Sequence, residues 1–292
     1  MTNQPRAYDG SRVETILDSA QQVMPLYPNG VTPPLASPPE GLLHVGVDLG
    51  TATLALVVLN EDGQPLAGEY LYAEVVRDGV VVDYIGAVDR LREMKARVER
   101  RLGRELTHAA SAFPPGVPMA EVRAVAHVVE AAGMECVSLV DEPSAANLVL
   151  SIENGAVVDV GGGTTGIAVF KDGEVVYTAD EPTGGRHFSL VLSGALDISY
   201  EEAEILKKEP GEQARLFPMV RPVMEKMATI TRRHLKGWPV DSITLVGGCS
   251  TYPGMARVFE EITGVPVDVP SKPIFVTPLG IARRAGVEMS RR

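Results

Sequence analysis

The sequence predicts an α/β fold of two similar halves, because a strand–turn–strand pattern occurs twice. The first copy reads Val45-Gly-Val-Asp-Leu-Gly-Thr51, and the second reads Val157-Val-Asp-Val-Gly-Gly-Gly-Thr-Thr165. An apolar run and a second turn, at Asp62-Gly63 or Asp172-Gly173, follow each copy, which is typical of a β-hairpin. Strands and helices then alternate in both halves, which indicates mixed sheets with helices packed against them.

The first half is expected to hold a hairpin followed by alternating helices and strands. Apolar runs that end in turn residues predict strands at 42–47, 54–59, 67–76, 109–113 and 137–140. Apolar residues that recur on one side predict helices at 89–104, 120–132 and 145–150. We assign residues 41–145, together with the C-terminal residues 272–292, to subdomain I.

The second half repeats this plan with a longer helical region. The hairpin is expected at 156–177 and further strands at 243–246 and 265–269. Helices are expected at 201–208, 219–235, 255–263 and 277–285. We assign residues 146–271 to subdomain II.

Residues 1–40 differ in composition from the rest of the chain. An apolar stripe predicts an amphipathic helix over 11–24, and Ser11 and Glu14 have the spacing of a capping box. Six prolines between Pro25 and Pro39 predict an extended tether. Two interpretations stay open: the helix docks on its own domain, or it binds a partner.

Composition excludes several classes of protein. The 292 residues suffice for two domains, and the net charge of -11 argues against a nucleic-acid-binding surface. No apolar run reaches the roughly 18 residues of a membrane span, and the N-terminus lacks the features of a signal peptide. We therefore expect a cytoplasmic protein with no membrane partner. Cys136 and Cys249 are expected to be reduced core residues.

The two glycine turns differ from the commonest nucleotide-binding motifs. No lysine follows either turn as a Walker loop requires, and each turn opens a strand, whereas a dinucleotide-binding turn opens a helix. Glycine turns still expose backbone N–H groups that suit phosphates. Asp48 and Asp159, at the strand ends, suit a hydrated Mg²⁺. The alternative is that both aspartates cap their own turns.

Two further segments carry candidate site residues. Glu142 follows a strand and precedes the proline that begins a helix, a position that suits a carboxylate orienting an attacking water. A surface or capping role for Glu142 is the alternative. Gly247 and Gly248 lie between a strand and a helix, which would suit a sugar and an α-phosphate.

These motifs together resemble the actin-like ATPases, a superfamily that includes the Hsp70 chaperones. The two glycine turns resemble its phosphate loops, and Asp141-Glu-Pro-Ser-Ala-Ala146 resembles the connector between its halves. Gly247-Gly-Cys-Ser-Thr-Tyr-Pro-Gly254 resembles the adenosine motif, and Thr277-Pro-Leu-Gly-Ile-Ala282 the second connector. The resemblance implies two ribonuclease-H-like subdomains around a nucleotide cleft.

The resemblance also implies roles for individual residues, with ATP or ADP and Mg²⁺ as the cofactors. Asp48 and Asp159 would hold Mg²⁺ through water, and Glu142 would help to position the attacking water, so that these three form the catalytic set. Glu204 and Lys207 would hold ribose and adenine. The phosphates would be cradled by Gly50, Thr51, Gly161, Gly162, Gly163 and Thr164.

Within that superfamily, the chain most resembles the EutJ family of ethanolamine-utilisation proteins. Four stretches carry this likeness: Glu74-Val-Val-Arg-Asp-Gly-Val80, Ser111-Ala-Phe-Pro-Pro-Gly116, Gly161-Gly-Gly-Thr-Thr-Gly-Ile167 and Ala179-Asp-Glu-Pro-Thr-Gly-Gly185. The family is described as chaperone-like and is linked to bacterial microcompartments. Ethanolamine-pathway enzymes or shell proteins are therefore the implied partners, and the N-terminal helix becomes a candidate targeting peptide.

Departures from the superfamily pattern bear on hydrolysis. The segment 78–113 is short, so the outer subdomains are expected to be reduced. Arg186 and His187 follow Gly184-Gly185, where chaperones carry acids, and the catalytic lysine of the chaperones has no obvious counterpart. We expect an ATP-binding chaperone or assembly factor with slow hydrolysis. The alternatives are a nucleotide-gated scaffold or filament former and, less favoured, a small-molecule kinase.

Overall fold

The first half of the chain is built on a five-stranded mixed sheet. The structure, a computed structural model, describes residues 8–24, 33–73, 76–77 and 80–291. The strand order is β3-β2-β1-β6-β7, in which β1 pairs antiparallel with β2 and parallel with β6. These strands are β1 (His44–Leu49), β2 (Thr53–Leu59), β3 (Pro65–Tyr72), β6 (His108–Phe113) and β7 (Glu135–Asp141). A two-stranded ribbon, β4 (Val76–Arg77) and β5 (Val80–Val81), stands apart from this sheet.

The second half repeats this sheet. Its order is β10-β9-β8-β11-β12, again with an antiparallel hairpin followed by parallel strands. The strands are β8 (Gly155–Val160), β9 (Thr165–Lys171), β10 (Glu174–Glu181), β11 (Ile243–Val246) and β12 (Val267–Asp268). The prediction of two α/β halves with mixed sheets is confirmed.

Helices cover the outer face of each sheet. In the first half these are α2 (Tyr84–Leu102) and α3 (Met119–Ala131), which enclose one apolar core with β1 and β2. In the second half α5 (Arg186–Leu196), α6 (Tyr200–Leu206), α7 (Gln213–His234) and α8 (Met255–Thr263) enclose another. Among the described residues, no helix is both long and apolar enough to span a membrane.

Two helices join the halves. The first, α4 (Glu142–Leu150), follows β7 directly, and the second, α9 (Val276–Met289), packs on it and on β1, β6 and β7. Gly280 allows this close crossing, because any side chain there would collide with the Ala145 carbonyl. A third apolar core, shared by both sheets, forms around these helices. The two connecting helices therefore set how the halves face each other.

The N-terminal helix α1 (Gly10–Val23) packs on the body of the protein. It contacts β3 and the short 3-10 helix Pro273–Phe275, and Val13, Ile16, Leu17 and Ala20 are buried. In this arrangement the apolar face of α1 is not accessible to a partner. The predicted capping box is wrong, because Asp9 accepts the capping hydrogen bond from Arg12 N and Glu14 accepts one from Ser271 N.

Several helices begin earlier than predicted. Asp83 caps α2 six residues before the expected start at Asp89, and Glu142 is already the first residue of α4. In α7 the prediction began after Pro218, yet the helix contains both Pro218 and Pro222. Tertiary burial of Leu216, Val220 and Val223 overrides the intrinsic penalty for proline in a helix.

Candidate functional site

The sequence-predicted site residues converge on one cavity of about 350 Å³ between the halves. Its walls come from the ends of β1 and β8, the start of α4, the turns before α5 and after β11, and the end of α6. A volume in this range is typical of small-molecule sites. The predicted residues that line it are Asp48, Gly50, Thr51, Glu142, Asp159, Gly161, Gly162, Gly163, Thr164, Glu204, Lys207, Gly247 and Gly248.

The two glycine turns meet across this cavity. A Cβ at Gly162 would lie 2.7 Å from the Ala52 side chain, and one at Gly163 would lie 2.6 Å from Thr51 Oγ1. Gly161 N and Thr164 O close the second turn with a 3.0 Å hydrogen bond. The absence of side chains at Gly162 and Gly163 therefore allows the backbones of the two turns to approach closely.

Three carboxylate residues, Asp48, Glu142 and Asp159, line the cavity. Burial, together with the nearby Asp159 charge, raises the pKa of Asp48 to about 7. Burial raises the pKa of Asp159 to about 6. Burial first, and then the charges of Asp159 and Asp48, hold the pKa of Glu142 well above its usual value. The cavity thus concentrates negative charge that a bound cation would stabilise.

Thr277 is a polar residue of this site that sequence reasoning did not assign a role. Its Oγ1 donates a 2.6 Å hydrogen bond to Asp159 Oδ2, and this bond acts to lower the pKa of Asp159. In the sequence analysis, Thr277 appeared only as the first residue of the segment that resembles the second connector. A pairing across 118 residues leaves no local signal in the sequence.

At the other end of the cavity, Glu204 and Lys207 form an ion pair. Lys207 Nζ also donates to Gly185 O at 2.9 Å and to Ser189 Oγ at 2.8 Å, so its three donors are all in use within the protein. Glu204 Oε1 additionally accepts from Ser189 Oγ at 2.5 Å. The pair holds α6 against α5, and Glu204 Oε2 is its less engaged oxygen, 3.4 Å from Lys208 Nζ.

The turn after β11 lies beside the second glycine turn. Gly247 has a φ of 84°, and any side chain there would collide with Asp159 Oδ1. Cys249 was expected to be a core residue, and it does pack against the apolar core of the second half, but it also lines the cavity, where its Sγ donates to Gly161 O at 3.1 Å. Its thiol is free, as predicted, and burial raises its pKa.

Two residues that line the cavity from different halves, Tyr72 and Lys208, contact each other. Lys208 Nζ lies 3.9 Å from the centroid of the Tyr72 ring, within the range of a cation–π interaction. Tyr72 ends β3 in the first half, and Lys208 follows α6 in the second. Sequence reasoning missed this contact because nothing local relates the two residues.

Comparison with known proteins identifies the family. A family model described as "Cell division protein FtsA" matches residues 156–280, and one described as "MreB/Mbl protein" matches residues 71–209. The ethanolamine utilization protein EutJ of Escherichia coli (strain K12) is 45% identical over 244 residues, which cover 83% of this chain and 86% of that protein. The chain belongs to the EutJ family. The family lies within the actin-like ATPase superfamily, in agreement with the two family models.

Solved structures agree with this assignment. The crystal structure of EutJ from Carboxydothermus hydrogenoformans is 46% identical and superposes with a TM-score of 0.85, covering 94% of this chain and 98% of that one. The structure of MreB 5 of Spiroplasma citri, which is bound to AMPPNP, superposes with a TM-score of 0.71 at 18% identity over 87% of this chain and 98% of that one. At that identity the likeness to MreB 5 shows the fold alone.

Proposed function

We propose that the cleft binds ATP with Mg²⁺, and that the protein acts as a slowly hydrolysing chaperone or assembly factor of ethanolamine utilisation. The observation that carries this proposal is the convergence of both glycine turns and the carboxylates Asp48, Asp159 and Glu142 on one cavity. The AMPPNP bound to MreB 5, which shares the fold, supports a nucleotide as the ligand.

The glycine turns would hold the phosphates. Gly50 and Thr51 in the first turn, and Gly161 to Thr164 in the second, line the cavity from opposite sides. Backbone N–H groups in such turns are donors that suit phosphate oxygens. Side chains at Gly162 or Gly163 would force the turns apart, which supports a cradle formed by both turns together.

The carboxylates favour a hydrated divalent cation over a directly bound one. Among the described residues, no group of three or more His, Cys, Asp or Glu side chains is placed to ligate a metal directly. Mg²⁺ typically keeps several waters and takes few carboxylates along with the phosphates. Asp48 and Asp159 would hold it through water, and the cation would favour the ionised form of both carboxylates, whose pKa values are raised mainly by burial.

The nucleoside would lie toward α6. Glu204 would accept a hydrogen bond from a ribose hydroxyl through Oε2, whereas Lys207 would act by fixing Glu204, since the donors of Lys207 are engaged within the protein. Gly247 and Gly248 give the sugar and α-phosphate close access to the backbone, and Ile274 lies 3.7 Å from where a Gly248 Cβ would stand. Ile274 would thus provide an apolar contact, and Glu204 a polar one, for the bound nucleoside.

Slow hydrolysis follows from the groups around Glu142. A water-positioning carboxylate acts best when ionised, and its surroundings hold the pKa of Glu142 well above its usual value. Among the described residues that line the cavity, the cations Arg186, Lys207 and Lys208 all belong to the second half. The first half therefore contributes no described cation to the charge that develops on a transferring phosphoryl group.

The raised pKa of Glu142 and the position of all described cavity-lining cations in the second half also favour a second candidate function, a nucleotide-gated scaffold without significant hydrolysis. In that case nucleotide binding alone would set the angle between the halves, and the Lys208–Tyr72 contact would help to hold the closed form. Phosphate release separates the two functions.

Partners and location rest on family membership. Because the chain belongs to the EutJ family, ethanolamine-pathway enzymes or microcompartment shell proteins are the partners we propose, with a cytoplasmic location at or near the microcompartment. The N-terminal helix α1 would direct the protein there only after it leaves its docked position, since its apolar face is buried.

The experiment that tests the proposal measures ATP binding by calorimetry with and without Mg²⁺, and phosphate release from the same samples. Wild type should bind in the presence of Mg²⁺ and release phosphate slowly. Asp159→Asn should lose Mg²⁺-dependent binding, whereas Glu142→Gln should bind without releasing phosphate. Asp172→Asn is a matched control, because it removes an aspartate charge from an exposed turn outside the cavity. Absence of ATP binding by wild type would contradict the proposal.

A further inference from the structure

The buried contact between Thr277 and Asp159 points to a function for the second connector. Thr277 is 5% exposed and Asp159 is 7% exposed, and a 2.6 Å hydrogen bond joins Thr277 Oγ1 to Asp159 Oδ2. A threonine hydroxyl has one proton to donate, so here that proton is directed at the carboxylate. The bond therefore holds one oxygen of Asp159 toward α9 and fixes the plane of the carboxylate.

This hydrogen bond crosses between the two halves. Asp159 is a residue of β8, in the second sheet. Thr277 is in the first turn of α9, which packs on β1, β6 and β7 of the first sheet. The carboxylate of one half is thus oriented by a helix that belongs to the other.

The other oxygen of Asp159 is also confined. A side chain at Gly247 would collide with Asp159 Oδ1, so the backbone after β11 approaches that oxygen closely. Any rotation of the carboxylate about χ2, other than the half-turn that exchanges its two equivalent oxygens, would break the Thr277 hydrogen bond. Thr277 and Gly247 together define a single orientation for Asp159.

Asp48, the corresponding carboxylate in the first half, has no such support. Among the described residues, no side-chain donor forms a hydrogen bond with its carboxylate. The two aspartates that face the same space are therefore unequal, because one is held in place and the other is not.

We propose that Thr277 is a positioning residue for the metal–nucleotide site, which acts by orienting the Asp159 carboxylate toward hydrated Mg²⁺. This inference rests on the proposed function, since it concerns the same cleft. It adds a residue from the second connector, and it makes Mg²⁺ binding depend on how α9 sits against β8. Outer-shell partners of metal-facing groups commonly affect metal affinity by about 10- to 100-fold.

The test compares the Mg²⁺ dependence of ATP binding in Thr277→Val, Thr277→Ser and Thr277→Ala with that in wild type. The Mg²⁺ concentration needed for half of the effect on ATP affinity should rise about 10- to 100-fold in the Val and Ala variants. Ser keeps the hydroxyl and should stay close to wild type. Binding measured without Mg²⁺ should not change in any variant, and thermal melting checks that each one folds.

Thr244→Val is the matched control. Thr244 is buried in β11 of the same half, and its Oγ1 has no hydrogen-bond partner among the described residues. The same substitution there should leave the Mg²⁺ dependence unchanged. If Thr277→Val misfolds, the Ser and Ala variants still differ only by the hydroxyl group and decide the question.

The outcomes separate this inference from the proposed function. Wild-type Mg²⁺ dependence in both Thr277→Val and Thr277→Ala, or an equal loss in Thr277→Ser, would overturn the role of the hydroxyl while ATP binding stands. A wild type whose ATP binding ignores Mg²⁺ would overturn both.

Discussion

The two glycine turns occupy equivalent places at the ends of β1 and β8, but they are built differently. The first has one glycine between Asp48 and Thr51, whereas the second has three between Asp159 and Thr164. Thr277 donates a hydrogen bond to Asp159, and no described side chain donates one to Asp48. The two copies of the motif are therefore not equivalent: in the function proposed above, the second turn would supply most of the phosphate contacts, and the first would supply a carboxylate that no protein side chain orients.

The largest change in ATP affinity is expected when one glycine of each turn is replaced by alanine. The same substitution should weaken binding more in the second turn than in the first. Gly162→Ala places a methyl group 2.7 Å from the Ala52 side chain, so the turns must move apart. Loss of one or two hydrogen bonds to charged phosphates, at about 1.5–3 kcal/mol each, lowers ATP affinity by about 100-fold. Gly50→Ala meets the Thr53 side chain at 3.0 Å and should cost less than about 10-fold. Calorimetric titration with ATP measures both, and a greater loss in Gly50→Ala would reverse the comparison.

A second prediction concerns Glu142, which faces the space between the turns. Glu142→Gln keeps the shape of the side chain but cannot act as a base, so phosphate release should fall by about 100-fold. ATP affinity should stay near that of wild type, because the glycine turns are untouched. Single-turnover measurement of phosphate release checks this, and equal losses in affinity and release would place Glu142 in the phosphate cradle instead.

The third prediction uses the pH dependence of stability in the ligand-free protein. The pKa is raised to about 7 at Asp48 and to about 6 at Asp159, so the folded state binds protons more tightly than the unfolded state. These groups therefore lower stability as pH rises from about 4 to about 7, and the loss is complete above that range. Asp48→Asn should raise Tm at pH 8 by roughly 2–4 °C, the shift that about 1 kcal/mol brings at this size.

The gain in Tm should be smaller at pH 5, where the aspartate is already protonated in the folded state. Asp159→Asn should give less than Asp48→Asn at pH 8, because Asp159 has the Thr277 hydrogen bond and the lower pKa. Thermal melting at the two pH values measures both variants. A larger gain at pH 5 than at pH 8 would contradict the uncompensated charge at Asp48.

The smallest expected effect is at the contact that joins the halves. Lys208→Met removes the cation–π interaction with Tyr72, which at an exposed site is worth about 0.5–1 kcal/mol, together with the 3.4 Å ion pair to Glu204 Oε2. Nucleotide release should become about 2- to 5-fold faster. Stopped-flow release of a fluorescent ATP analogue measures this, with Lys236→Met, an exposed lysine outside the cavity, as the control. An unchanged rate of nucleotide release in Lys208→Met would show that this contact does not help to hold the closed form.

The sequence predicted what depends on local pattern. The repeated turn predicted a fold of two halves. In each copy, a strand that ends in a turn with an aspartate and glycine is recognisable from a few consecutive residues. All thirteen residues predicted for the site line one cavity for the same reason, since each lies in or beside a motif at the end of a strand or helix.

The remaining features depend on contacts between distant residues. Thr277 and Asp159 are 118 residues apart, and Tyr72 and Lys208 belong to different halves, so no window of sequence relates them. Lys207, which was predicted to hold ribose and adenine together with Glu204, lines the cavity, but the hydrogen bonds of its Nζ to Gly185 and Glu204 depend on packing that the sequence does not reveal. Asp9, and not Ser11, caps α1, and Glu14 accepts a hydrogen bond from the distant Ser271 N, a contact that the local sequence does not reveal.

A crystal structure of the protein with AMPPNP and Mg²⁺ tests the central claim most directly. We expect the triphosphate between the two glycine turns, with Mg²⁺ linked through water to Asp48 and Asp159 and with the Thr277 hydroxyl still on Asp159. A cleft that stays empty at saturating AMPPNP, or a triphosphate bound away from both turns, would contradict the account.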